Sequence, residues 1–136
     1  YTQRVQDAKA GNVKEQFSVG MYYYEGAFGL GENIDYEKAL FWLTKAAEQG
    51  HVESQHSVGF MHYKGEGTQI DYETAFHWYT KAAEQGYTLS QNNLTHNKKV
   101  KPPDYLKNQK NISLVADSDY QVLPDIDKKL RLMFLL

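Results

Sequence analysis

Apolar residues recur with a helical period over two stretches of this chain. In DYEKALFWLTKAAEQG (residues 35–50), Ala39, Trp42 and Ala46 fall at i, i+3 and i+7, and Leu43 with Ala47 widens the stripe. In DYETAFHWYTKAAEQG (residues 71–86), Ala75, Trp78 and Ala82 do the same, flanked by Tyr79 and Ala83. Each stretch opens on an aspartate, Asp35 or Asp71, whose carboxylate can accept from the unpaired N–H groups of a first turn. Glu37 and Glu73 add first-turn negative charge, which suits the helix dipole. Each stretch closes on a glycine, Gly50 or Gly86, the residue that ends a helix in a left-handed conformation at least cost. Two helices, here called B, are therefore expected. A shorter helix A is expected before each, over residues 13–24 and 51–63, with Ser54, Val58 and Met61 on one face of the second. Gly20 and Gly59 fall in mid-helix, where glycine costs about 1 kcal/mol against alanine. The expected return is close approach of helix A to helix B, with the tryptophan of helix B covering the gap. Burying an indole removes about 200 Å² from water, at most on the order of 5 kcal/mol. Trp42 and Trp78 are therefore expected to dominate stability.

The second B stretch repeats the first 36 residues later. A helical segment returning at that period marks a solenoid of paired helices, in which each pair buries its apolar face only by stacking on a neighbour. The expected fold class is all-α: an α/α superhelix of stacked helix–turn–helix repeats with an irregular C-terminal tail. The A–B loops carry glycine, EGAFGLGENI (residues 25–34) and KGEGTQI (residues 64–70). The first is three residues longer, since Gly20 to Gly59 spans 39 residues against 36 for the B landmarks. Phe28 and Leu30 sit in that extension, either as a plain insertion or as an apolar contact for a partner or a neighbouring repeat. Residues 1–10 match the end of a preceding helix B loosely. GYTLSQNNL (residues 86–94) begins a third copy, with Gln91 matching Gln16 and Gln55. Thr95 then stands where the helix A glycine is due, and Pro102 and Pro103 end any helix. The repeat domain is expected over residues 8–97. Residues 98–136 show no repeat character: a linker to Pro103, a short strand or extended arm over 114–124, and an amphipathic helix over 125–136.

The formal charge of -2 over 136 residues gives no support for nucleic acid or an anionic membrane as partner. The 11 tyrosines suit either half-buried groove walls or plain helix packing. With no cysteine, disulfide scaffolds and cysteine zinc sites are excluded. There is no signal peptide and no apolar run of membrane-spanning length. The chain opens on Tyr1 and not on methionine, so it reads as a fragment or processed piece, and the compartment stays open between cytoplasm and endoplasmic-reticulum lumen. Two glycosylation sequons, beginning at Asn93 and Asn111, fit the lumen without establishing it. His51, His56, His62, His77 and His96 contain no i, i+4 pair of the kind that holds a metal on a helix. No G-x-S-x-G, S-x-x-K, Walker loop or dinucleotide glycine pattern occurs. Glu48, Glu53 and Glu84 fall on solvated helix ends. No catalytic residue, metal or cofactor is expected.

The second copy carries Gln55, Val58, Gly59, Tyr63, Gly65, Gly67, Asp71, Ala75, Trp78, Lys81, Ala82, Ala83 and Gly86 at the spacing of the Sel-one-like repeat. The first supplies Gln16, Val19, Gly20, Tyr24, Asp35, Lys38, Trp42, Lys45, Ala46 and Gly50. Over about residues 8–95 the chain resembles that family, a relative of the tetratricopeptide repeat. Thr74 in place of the usual lysine, Thr95 and the longer first loop depart from the pattern. The resemblance implies a non-catalytic adaptor that supports a multiprotein complex, as members do in endoplasmic-reticulum quality control, chitin-synthase activation and bacterial signalling. Helix A lines the concave surface in such arrays. Phe17, Tyr23, His56, Phe60 and His62 are then the candidate contacts for a protein partner. Two other readings stand beside this one. The first is a hydrolase of small amides or β-lactams, as reported for cysteine-rich relatives, with Ser54 or Ser57 beside a histidine. The second is a structural fragment of a larger repeat protein.

Overall fold

The computed structural model describes residues 2–27 and 29–102. Six helices follow one another: α1 (Thr2–Lys9), α2 (Val13–Glu25), α3 (Tyr36–Glu48), α4 (Val52–Lys64), α5 (Tyr72–Glu84) and α6 (Thr88–His96). Among the described residues there is no strand, only an isolated bridge between Ala27 and Glu32 in the longer first loop. Phe28, the arm expected over 114–124, the helix expected over 125–136 and the sequon at Asn111 lie outside the described residues.

The helix starts are capped. Asp35 accepts from the Lys38 N–H at 3.0 Å, and Asp71 from the Thr74 N–H at the same distance. Helix A uses other acceptors: Asn12 takes the Glu15 N–H at 3.1 Å, and His51 Nδ1 takes the Ser54 N–H at 3.2 Å. At the far ends, Gly50 (φ 93°) and Gly86 (φ 89°) turn the chain in the left-handed region. They follow the α3 and α5 caps Gln49 and Gln85.

Odd and even helices form two layers, bridged by three core clusters. The first joins Ala8 of α1, Val19 of α2 and Trp42 of α3. The second joins Ala39, Leu43 and Ala47 of α3 to Val58 and Met61 of α4, with Trp78 of α5 packed against it. The third joins Ala75, Phe76, Tyr79 and Ala83 of α5 to Leu94 of α6 and to Val100. Helix α1 thus stands where a helix B belongs and α6 where a helix A belongs. The stretch expected as a linker continues the core instead of leaving it: Val100 is 1% exposed and Pro102 is buried.

One expectation about the interior needs correcting. A Cβ on Gly20 would come within 2.6 Å of the Leu43 side chain, and one on Gly59 within 2.9 Å of the Tyr79 ring. The close approach is real, but Leu43 and Tyr79 cover the glycines, not the tryptophans. A helix turns about 100° per residue, so the position after the indole faces the helix A of its own pair. The indole itself sits at the seam with the preceding pair, Trp42 meeting Ala8 of α1 as well as Val19 of its own helix A. Trp42 is 9% exposed there, whereas Trp78 is half-buried.

A row of glutamine amides runs between the layers. Gln16, Gln55 and Gln91 donate to the carbonyls of Ala8, Ala47 and Ala83 at 3.0, 3.2 and 3.1 Å. Their own oxygens are reached from the following turn, by Gln49 Nε2 at 2.6 Å to Gln16 and by Gln85 Nε2 at 2.7 Å to Gln55. The three bonds to carbonyls give a second donor to last-turn oxygens that also accept from the closing-turn N–H groups of Gly11, Gly50 and Gly86.

Candidate functional site

The even-numbered layer, helix A of each pair, carries the surface that the sequence singled out. Between α2 and α4 lies a cleft of about 240 Å³ lined by Met21, Tyr24, His56, Ser57 and Phe60. Tyr24 and Ser57 offer hydroxyls; the rest of the wall is aromatic or apolar. Tyr24 donates to Glu66 Oε1 at 2.8 Å and packs on the Tyr36 ring at 5.4 Å. Burial, reinforced by that bond to Glu66, pushes the Tyr24 phenol well above its ordinary value. The phenol is therefore a neutral hydrogen-bond donor at any physiological pH.

The five candidate contacts do not form one cluster. His56 and Phe60 line the cleft. Phe17 lies one turn earlier on α2, half-buried, with its ring 4.7 Å from the His51 ring. Tyr23 packs into the first two core clusters, and the Lys38 ammonium lies 5.3 Å from its ring centre. His62 belongs to the loop side: its carbonyl accepts from the Asp71 N–H at 2.8 Å, and its Nδ1 is buried without a hydrogen-bond partner. Burial lowers its pKa, against the opposing pull of Asp71. The cleft also holds Met21, Tyr24 and Ser57, which sequence reasoning did not single out as contacts. Helical spacing carried a signal for Met21 and Tyr24, which follow Phe17 at i+4 and i+7.

Histidines and serines meet twice, both times inside. His51 Nδ1 is 2.8 Å from Ser54 Oγ, and His56 Nδ1 is 2.7 Å from Ser90 Oγ. Ser54 and Ser90 are both fully buried. Neither hydroxyl is reachable by a substrate: the first pair caps α4, the second joins α4 to α6, and neither presents a nucleophile. Ser57 faces the cleft with no histidine bonded to it. Among the described residues no group of three or more His, Asp or Glu is placed to hold a metal ion. None of the described helices is long and apolar enough to cross a membrane.

Comparison with known proteins bears on this surface. The family model described as Sel1 repeat matches residues 16–51 and 52–87, more than half of the chain. In Arabidopsis thaliana, the ERAD-associated E3 ubiquitin-protein ligase component HRD3A is 35% identical over 60 residues, 44% of this chain and 9% of that protein. A protective antigen of uropathogenic Escherichia coli, c5321, which displays an SLR fold, superposes with a TM-score of 0.64. It is 36% identical and covers 68% of this chain and 19% of the antigen. A Sel1 repeat protein from Oxalobacter formigenes superposes with a TM-score of 0.63 at 30% identity, over 72% of this chain and 40% of its own. The chain thus spans less than half the length of each of these relatives. Sel1 repeats generally serve as scaffolds for protein–protein interaction.

Proposed function

Since the chain belongs to the Sel1 repeat family, we propose that it is a non-catalytic scaffold that binds a protein partner along its helix-A layer. The observation that carries this reading is the α2–α4 cleft. At about 240 Å³ it has room for one large apolar side chain of a partner, with Ser57 and Tyr24 at hand to orient the partner's backbone. His56 and Phe60 contact the partner directly, and Phe17 extends the wall toward α4. Tyr23 and His62 support these walls from the core and loop sides. The HRD3A relative is named as a component of a ligase, and a subunit that holds other subunits fits the same role. The unit that does this runs over residues 8–97, with Val100 and Pro102 packed on its end.

A benzophenone amino acid placed at position 60 tests the site against one at position 41, on the exposed outer face of α3. A partner held in the cleft is crosslinked from 60 and not from 41. Filling the cleft with Ser57→Arg, which leaves the three core clusters untouched, removes the adduct while the melting temperature holds. Equal labelling from both positions, or an adduct that survives Ser57→Arg, would falsify the assignment.

A further inference from the structure

The two junctions between successive A helices are built from the same three parts with one exchange. At the α2–α4 junction the parts are Phe17, His51 and Ser54: the rings lie 4.7 Å apart and His51 Nδ1 is 2.8 Å from the buried hydroxyl. At the α4–α6 junction they are His56, Tyr87 and Ser90: the rings lie 5.2 Å apart and His56 Nδ1 is 2.7 Å from the buried hydroxyl. Position 56 of the second copy corresponds to 17 of the first, and 87 to 51. The histidine has moved to the other side of the contact, yet each junction keeps one, and each is bonded through Nδ1 to a serine that no solvent reaches.

We propose that the α4–α6 junction is a proton-operated latch: neutral His56 holds α4 to the entry of α6, and protonation loosens α6 from its neighbours, whereas His51 at the other junction serves as a helix cap. The chemistry differs at the two sites. His51 caps α4, and Nδ1 can accept the Ser54 N–H at 3.2 Å only through its lone pair. His56 keeps a bond to Ser90 in either state, because the hydroxyl can turn from donor to acceptor. What it lacks is a counter-charge. Its partners are Tyr79 of α5, whose ring centre lies 5.2 Å away, Tyr87 and Ser90 at the entry to α6, and Met21 and Tyr24 of α2 across the cleft. The titratable groups among these are phenols, uncharged near neutrality. The carboxylate nearest in this network, Glu66, is bonded to Tyr24. On its own helix, Glu53 is exposed. Neither histidine forms an ion pair among the described residues. Burial accordingly lowers the pKa of His56. The unfolded chain then binds the proton first as pH falls, so stability is full above the ordinary histidine range and declines below it.

The proposal does not rest on the scaffold reading, although His56 also lines the cleft. Its test is the thermal melt of the full chain between pH 7.5 and 5.5, the range in which histidines gain charge. The melting temperature falls by roughly 5 °C or more on acidification. The comparison protein carries His56→Phe and Ser90→Ala, which replace the imidazole–hydroxyl bond by an apolar contact like that of Phe17 at the first junction. It loses at least half of that fall; His62 and His77, which burial also disposes to resist protonation, supply the rest. A fall as large as that of the unmodified chain overturns the proposal. Because only the change with pH is read, a uniformly less stable variant still gives an answer. Should the double variant fail to fold, imidazole nitrogen shifts and amide protection of the unmodified chain decide. Protection in α6, taken relative to the intrinsic exchange rate at each pH, falls in the step in which the His56 ring titrates, and constant protection through that step overturns the latch.

Discussion

Tyr79 carries a fully buried hydroxyl with no hydrogen-bond partner, and burial pushes its phenol well above the ordinary value. The ring is needed, since it fills the space over Gly59; the oxygen is not. At the matching position of the first pair, Leu43 does the same work with no polar atom at all. An unsatisfied buried hydroxyl costs about 1–3 kcal/mol, so Tyr79→Phe is expected to raise the melting temperature by a few degrees without altering the fold. Calorimetry on the two proteins checks this, and a lower melting temperature for the phenylalanine form means the hydroxyl has a partner after all. The glutamines teach the opposite lesson. Their recurrence at 16, 55 and 91 is plain in the sequence, but a matching glutamine says nothing of what it bonds. The acceptor lies eight residues back, across the turn between two helices, and only the crossing geometry reveals it.

At the scale of the helix, the caps, the stripes and the closing glycines were all legible, because each depends on residues within one or two turns. Asp35, Asp71, Gly50 and Gly86 do what their local chemistry requires. Which neighbour each stripe residue meets was not legible, because one turn of a helix B touches two different partners. Leu43 faces its own helix A while Trp42 sits at the seam with the preceding pair, and the spacing rule alone cannot separate them. The start of the third, incomplete copy was legible in residues 86–94, but its end was not, because Val100 lies in a segment of lysines and prolines whose pattern reads as a linker. The difference in burial between the indoles yields a prediction. Trp42→Ala, at a site that is 9% exposed, is expected to cost about 3–5 kcal/mol. Trp78→Ala, at a more exposed site, is expected to cost less, in step with the smaller area it removes from water. Urea unfolding of both variants measures the order; a larger loss at Trp78 contradicts the assigned packing.

Across the whole molecule, the three clusters differ in how many helices they join. The middle one has its centre on α3 and α4, and residues of α2 and α5 pack on it; the last one joins α5 to α6 and Val100, and only Phe60 and Tyr63 of α4 pack on it. In a linear array each unit contacts only its neighbours, so damage at an end stays local while damage in the middle separates the two halves. Val58 and Val100 make this contrast unusually clean: the residue type is the same, and their exposures are 0% and 1%. Valine to alanine removes similar apolar area at either site, about 2 kcal/mol, so any difference reflects position alone. Val58→Ala is expected to speed amide exchange through α2, α3, α4 and α5 together. Val100→Ala is expected to speed it in α6 and the end of α5, leaving α2 and α3 protected. Equal acceleration throughout for both variants means the described residues unfold as one unit, and the linear picture of stacked pairs fails. The same asymmetry bears on the latch: His56 holds the end pair, where loosening is local.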